Sequence, residues 1–502
     1  MPGEPRDDLF GSGFGQGPAA ARTTRRKFML AAAGSGLATL AAGIPADRGD
    51  AAEPSGTGPT IVVPQQQVPV LDEADVVVCG GGTSGIAAAC CAARHGARVI
   101  LLERWPSLGG MATNALVNIW HTSDRTQQVI LGFVQEAVER AGDFLHRYAD
   151  FPKRPETHWF DPEGMRVVFW RMLQDAGVQV LCNLTAVESV VQDGRMRAVL
   201  VDTKRGRRAV CGRIFIDATG DGDVAANAGA PCDLGRASDG RVQGMTMMFC
   251  LGDVDSPAVQ AVPQPVRERV FEQMRQLRDA GQFPQFNEGA AKHYLRSGLN
   301  QVPHNMVPAA GNPLDEAELT RLSMQAREDV YRIVDLWRRE IPGFAPARVT
   351  HMGHALGVRE SRRVRGLKTL DGVQVVQAVK HPDALGHGFW MIDIHDPQGS
   401  GYTTWTDQKR ELMPPAGESY HIPLGMCLNA ALPNLAVVGR CASATHEACA
   451  SVRLQSHGMV MGQGVGTCAA LALEAGVDLA RVEIRSLQSV LRRDGVYLED
   501  VP

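Results

Sequence analysis

Gly80-Gly81-Gly82-Thr83-Ser84-Gly85 lies between a hydrophobic run, Val76 to Cys79, and an Ala-rich stretch that closes at Gly96. A second hydrophobic run, Val99 to Leu102, ends on Glu103 and is followed by Arg104. This is G-x-G-x-x-G spacing in a strand–helix–strand unit of about 30 residues, with an acid about 20 residues beyond the loop. Each residue type answers a physical need. Gly80 allows the tight turn, Gly82 lets backbone approach a pyrophosphate, and Gly85 lets helix and strand pack closely. The helix start at Thr83 and Ser84 offers unpaired N–H groups and a positive dipole end to phosphates. Glu103 can accept hydrogen bonds from both ribose hydroxyls, and its charge would repel a 2′-phosphate. The predicted chemistry is dinucleotide binding; the alternative is a glycine-rich turn in an ordinary βα unit.

The chain that positions this unit has 502 residues, enough for two domains or one large composite one. A net charge of −4 gives no electrostatic reason to expect nucleic acid as a partner. The 54 glycines suit a fold with many tight βα turns. Eleven cysteines occur without C-x-x-C, C-x-x-C-H or an iron–sulfur ladder. No metal site is therefore expected. Cys79, Cys90 and Cys91 read as small buried hydrophobes, and the scattered spacing argues against a disulfide framework.

Residues 1–46 read as a targeting region. Thr24-Arg25-Arg26-Lys27-Phe28-Met29 precedes a mild apolar stretch ending at Ala42, too short for a transmembrane helix. Paired arginines before such a stretch resemble a twin-arginine export signal, which implies passage of a folded protein through the Tat translocase to the periplasm or the extracellular side. Residues 47–73 read as a linker.

Helical periodicity runs over Gln127 to Ala141, and Asp161-Pro162 opens another helix through Ala176. Short strands follow at Val178–Leu181, Ala186–Val191, Ala198–Asp202, Ala209–Cys211 and Ile214–Ile216, with a hairpin turn at Asp193-Gly194. Long polar helices near 264–281 and 315–340 belong to a different style of chain. The first style returns with a buried strand at Leu435–Val438 and a Gly/Ala/Met-rich helix at Gly458–Ala472. Gly462-x-Gly464-x-Gly466 lies inside that helix and not after a strand, so no second nucleotide unit is expected. The organisation read from this is an α/β, Rossmann-like fold in two parts, 74–235 and 426–475. An α+β substrate domain is inserted at 236–425, and 476–502 form a C-terminal tail.

Several blocks in order resemble the FAD-dependent oxidoreductases of the glutathione-reductase-like superfamily, and within it the branch related to the FAD module of heterodisulfide reductase. They are Leu108 to Thr113, Ile216 to Asp223, Gly357 to Arg363, Ile392 to Asp396 and Leu435 to Gly466. The resemblance implies FAD as cofactor, met from several places in the chain. Gly109, Gly110 and Thr113 would approach the pyrophosphate and ribityl region, with Met111 and Ala112 between them also cofactor-binding. Thr219 and Gly220 would flank the adenosine side, and Ala186, Val187 and Ala218 are further cofactor-binding positions. Gly439 would sit by the ribityl chain, with Arg440 where the superfamily commonly carries Asp. The Gly458 helix would aim its N-terminus at the flavin, preceded by Arg453 and Gln455. The iron–sulfur ligands of heterodisulfide reductase are absent from this sequence.

Three residues are candidates for the chemistry beside the flavin. His395 can act as acid or base, oriented by Asp393 or Asp396. His446, next to Glu447, follows the last strand. Arg359, in a cluster with Arg362 and Arg363, can bind an acidic substrate or the flavin, or form ion pairs with Glu360. His121, shortly after the Gly109 block, could contact the flavin or carry it covalently. The reading is an exported FAD oxidoreductase moving a hydride between a small organic substrate and flavin N5. Oxygen, a quinone or a carrier protein would be the external electron partner. A reductase fed by a carrier and a non-redox FAD protein are the alternatives.

Overall fold

The computed structural model describes residues 61–146, 157–397, 412–499 and 501. The targeting region and the first part of the linker lie outside the described residues. The fold is α/β. Strand β1 (Val70–Cys79) leads into helix α1 (Thr83–Arg94) and strand β2 (Val99–Glu103). Helix α2 (Pro162–Asp175) begins at Asp161, whose side chain accepts from the N–H groups of Glu163 and Gly164. Strands β3 (Gln179–Cys182), β4 (Thr185–Gln192), β5 (Arg195–Thr203) and β6 (Gly206–Asp217) follow.

The main sheet runs β3-β2-β1-β6-β5-β4. Strands β3, β2, β1 and β6 are parallel, and β4 and β5 form an antiparallel hairpin. Asp193 and Gly194 both adopt positive φ, 52° and 69°, as a two-residue primed turn requires. Strand β6 is continuous where the sequence suggested two short strands. Gly212 carries it through, because a Cβ there would lie 2.8 Å from Val77 Cγ2. Its first half pairs with β5, and its last residues pair in parallel with Leu435–Val437. That late strand is thus built into the sheet more than 200 residues after β6.

A second, antiparallel sheet contains β7 (Met245–Gly252), β8 (His304–Ala309) and, beyond helix α3 (Glu316–Glu340), β9 (Arg348–Met352), in the order β8-β7-β9. Alternation along β7 sorts its side chains. Met245, Met247, Phe249 and Leu251 join Val330, Ile333 and Trp337 of α3 in a separate core. Thr246 and Met248 face the other way, onto the cavity described below.

Strand β10 (Leu435–Val437) and helix α4 (Gln455–Ala475) complete the nucleotide-type fold. Helix α4 is buried over most of its surface and packs closely on α1. A Cβ on Gly462 would lie 2.2 Å from Ser84 O, and one on Gly466 would lie 2.3 Å from Ala88 O. The glycine spacing therefore serves helix packing. The helix expected from Gln127 begins only at Phe133, after Gly132 at φ 63°. Val129 and Ile130 are buried in the preceding loop. All eleven cysteines are free thiols, with Cys79, Cys90 and Cys91 buried.

Candidate functional site

The carboxyl ends of β1, β2, β6 and β10 open on one cavity of about 400 Å³. Gly80, at φ 112°, turns the chain where a Cβ would meet Ala218 O at 2.3 Å. Only glycine fits that crossing of the β1 and β6 loops. Gly81 donates its N–H to Glu103 Oε2 at 2.6 Å, and Trp105 N–H donates to Oε1 at 2.8 Å. These two bonds hold the carboxylate at the cavity wall. Burial raises the Glu103 pKa, and the two backbone donors oppose that rise. Helix α1 has Gly82 as its N-cap, no side-chain cap and no acid in its first turn. Its first N–H groups are left for an anion, with Thr83 and Ser84 on the wall.

The Leu108-Gly109-Gly110 turn docks on this loop. Gly109 N–H donates to Gly81 O at 2.8 Å, and a Cβ on Gly110 would lie 2.9 Å from Gly82 Cα. On the β6 side, Asp217 accepts from Thr219 N–H and Oγ1 at 3.0 and 2.7 Å, and from Ala225 N–H at 2.8 Å. Burial pushes Asp217 up to about 6, against the pull of these donors. The Arg440 guanidinium bonds Asp221 Oδ1 at 2.9 Å and Ser361 Oγ at 2.8 Å. Burial alone would raise the Asp221 pKa, but the Arg440 charge and these bonds bring it below the usual carboxylate range.

Of the expected residues, the wall carries Gly80, Gly82, Thr83, Ser84, Glu103, Arg104, Gly110, Met111, Ala186, Ala218, Thr219, Gly220, Gly439, Arg440, Arg453, Gln455, Arg359 and His395. The remainder lie behind it. Gly85 packs on Gly80, where a Cβ would be 1.9 Å from Gly80 O. Gly109 leaves room for the Thr113 side chain, and Thr113 Oγ1 donates to Leu108 O at 2.6 Å. Ala112 is fully buried. Val187 packs with Ala198 and Leu200, a different cluster from that of wall residue Ala186. Gly458 packs on Ser84, with a would-be Cβ 2.3 Å from its Oγ. His446 sits away from the cavity, its Nδ1 2.7 Å from Glu360 Oε2, and Glu360 also pairs with Arg363. His446 and Arg363 therefore meet at the buried Glu360 carboxylate and not at the cavity.

Another part of the wall brings together His395, Asp393, Arg453 and Arg359. His395 Nε2 lies 3.2 Å from Asp393 Oδ2. Arg453 Nη2 donates to Asp393 O at 3.0 Å and lies 3.6 Å from Oδ2. Burial, then the Arg359 charge, push His395 down to about 4, against the carboxylate of Asp393. Burial would raise the Asp393 pKa, but the His395 hydrogen bond and the arginine charges hold it well below the usual range. The Asp393 carboxylate faces Nε2 and orients the ring, which the sequence offered as one of two choices. Gln455 is fixed on both sides, accepting from Trp120 Nε1 at 2.9 Å and donating to Val117 O at 2.6 Å.

The wall also carries Trp159, Trp390, Thr246, Tyr294 and Asn305, none of which lies in a motif. His121 is there too, its ring stacked on Trp390 with centroids 4.0 Å apart.

A family model for FAD-dependent oxidoreductases matches residues 75–491. The chain belongs to that family. It is an FAD-dependent oxidoreductase, and the geometry fits the group. The cavity has a glycine cradle that a Cβ would fill, uncapped helix N–H groups and a carboxylate anchored beside them. A thiamine thiazole synthase of Methanococcus vannielii is 25% identical over 163 residues, 30% of this chain and 57% of that protein. The chain thus spans little more than half of that relative's length. Among solved structures, a geranylgeranyl bacteriochlorophyll reductase-like protein of Thermoplasma acidophilum is 11% identical. Its TM-score is 0.40, with 84% of each chain covered. The p-nitrophenol 4-monooxygenase of Pseudomonas putida is 10% identical with a TM-score of 0.42, covering 86% of this chain and 87% of that one.

Proposed function

We propose that the protein is an exported oxidoreductase in which FAD moves a hydride between a small organic substrate and its N5. Electrons are exchanged with oxygen, a quinone or a carrier protein. One observation carries the reading: the cavity that holds the glycine loop and Glu103 also holds the Arg359, Asp393, His395 and Arg453 cluster. In this reading Glu103 takes the ribose hydroxyls, and the α1 N-terminus with Gly82, Thr83 and Ser84 takes the diphosphate. Gly110 and Met111 meet the diphosphate and ribityl region. Ala186, Ala218, Thr219 and Gly220 flank the adenosine. Gly439 and Arg440 stand by the ribityl chain. Arg453 and the α4 N-terminus at Gln455 face the flavin pyrimidine, where a positive dipole end favours the anionic reduced ring. His395, neutral and oriented by Asp393, takes or returns the substrate proton.

The decisive experiment uses the purified holoprotein under anaerobic conditions. Candidate organic donors and artificial donors are added while the flavin absorption band is followed. Bleaching by a donor, reversed by oxygen or a quinone, is the expected result. A flavin band that no donor changes defeats the redox reading and leaves a protein that keeps FAD for structure or sensing.

The ordered blocks support placement near the FAD module of heterodisulfide reductase, without its iron–sulfur centres. The Arg25-Arg26 pair ahead of a mild apolar stretch supports export through the twin-arginine route. Replacing both arginines by lysine should leave the protein in the cytoplasmic fraction. Unchanged export of that double variant would remove this part of the proposal.

A further inference from the structure

Arg440 spans two parts of the cavity wall. Its backbone follows Gly439, where an added Cβ would lie 2.6 Å from Ser84 Oγ at the start of α1. Its side chain reaches to Gly220, where an added Cβ would lie 2.8 Å from Arg440 Nη2. The guanidinium is held at one corner. Nη1 donates to Asp221 Oδ1 at 2.9 Å and to Ser361 Oγ at 2.8 Å. Asp221 is shared, with Arg104 Nη2 4.0 Å from its other oxygen. Among the described residues, Arg440 Nε and Nη2 meet no acceptor. The side chain is only 10% exposed, and it lines the cavity. An arginine donates through five N–H groups and accepts nothing. Open N–H groups on so enclosed a charge call for an anionic acceptor in the cavity.

We infer that Arg440 is a ligand of the FAD diphosphate, with Asp221 and Ser361 as its positioning residues. This deepens the proposed function and rests on its placement of the cofactor. There, Gly439 stands by the ribityl chain and Gly220 by the adenosine. The diphosphate of FAD joins those two parts, so a side chain running from Gly439 to Gly220 runs along the diphosphate. Charge decides which oxygens it meets. A guanidinium takes an anionic oxygen over a neutral ribityl hydroxyl, because bonds between ionised partners are shorter and stronger. The N–H groups at the start of α1 approach the same anion from the Ser84 side.

The test is phosphorus NMR of the purified holoprotein, joined to FAD release on dilution read by flavin fluorescence. In Arg440→Gln, at least one phosphorus resonance of bound FAD should move, and release should be about tenfold or more faster. The flavin absorption band should keep its position, since the ring lies at the far end of the ribityl chain. Arg440→Lys keeps the charge without the fork and should release FAD at an intermediate rate. If Arg440→Gln does not retain flavin, Ser361→Ala decides. There the charge stays and its orientation is lost, so a resonance should move and release should quicken by about two- to tenfold. Unmoved phosphorus resonances in the variant that retains flavin overturn the inference, even where release is faster, because the arginine then supports only the fold. Ser84→Ala tests the placement separately. A resonance moved by Ser84→Ala but not by the Arg440 or Ser361 variant overturns the inference and leaves the diphosphate at α1. Resonances moved by none of these variants overturn the placement as well. The redox reading is decided apart from both, by donor bleaching.

Discussion

Gly462→Ala tests how the nucleotide fold is held together. The added Cβ would lie 2.2 Å from Ser84 O, 2.9 Å from Ala87 Cβ and 3.0 Å from Ala88 N. Two of these are backbone atoms of α1, so no side chain can swing aside. Either α1 and α4 separate by about 1 Å or the fold accepts a severe overlap. Overpacking of this kind costs about 1–3 kcal/mol, and the backbone contacts put this site at the upper end. Alanine also gains about 1 kcal/mol over glycine inside a helix, which leaves a net loss of about 2 kcal/mol. Gly289 is the control. It lies in the helix Glu288–Ser297, and a Cβ there would meet only Asn287 Oδ1, at 3.5 Å. Gly289→Ala should therefore stabilise, by about 0.5 kcal/mol. Urea denaturation of the holoprotein measures both, provided that the m-value is unchanged. The FAD dissociation constant of Gly462→Ala should rise as well, because Ser84 moves with α1. A Gly462→Ala midpoint at or above wild type would refute the reasoning.

Three further outcomes follow from the site. Glu103→Gln sets an amide NH2 against either the Gly81 or the Trp105 N–H, so FAD should dissociate about tenfold or more faster, read by flavin fluorescence on dilution. An unchanged rate would show that Glu103 does not shape the loop. Asp217 has a folded pKa near 6 against an ordinary 3.8. Its stabilising contribution is therefore full below about pH 4 and is lost as pH rises through about 6, by up to about 3 kcal/mol. The stability difference between wild type and Asp217→Asn should fall across that window, and a flat difference in urea denaturation would count against the assignment. His395, pushed down to about 4, should stay neutral from pH 5 to 8. Its share of stability is present above about 6.5 and lost as pH falls toward 4. Histidine ring-proton NMR, with His395→Gln for assignment, would contradict this if the resonance titrated near 6.5.

The parts of the fold that were legible in the sequence are those built from local rules. Strands β1 and β2 are buried on both faces, so they appear as continuous apolar runs. The Asp193-Gly194 turn and the Asp161 cap each carry their own residue signature. Distant partners hide the rest. The helix at Phe133 starts late because the Phe133 N–H donates to Gln463 Oε1 at 2.8 Å, a cap supplied from 330 residues away. Gly212-Arg213 looks like a break between two strands, yet Gly212 continues β6 because Val77 leaves no room for a side chain. His446 follows β10 closely in sequence, but its partner is Glu360 and it turns from the cavity.

The same division explains why the glycine-loop side of the cavity was readable and Thr246 and Asn305 were not. In a parallel sheet, ligands meet loops at the carboxyl ends of strands, so a glycine after β1, an acid ending β2, a Thr-Gly after β6 and a glycine after β10 must converge. Any sequence with those strands announces the convergence. The part of the wall that carries Thr246 and Asn305 follows no such rule. It is made by one face of an antiparallel sheet, where Thr246 and Asn305 come from neighbouring strands 59 residues apart and share one hydrogen bond. Only the register of β7 against β8, with its irregularity between Met247 and Met248, brings them under Arg359. In the proposed reading, substrate choice therefore rests on a pairing register that no motif encodes. A substitution that shifted that register would change what binds while leaving the FAD loops intact.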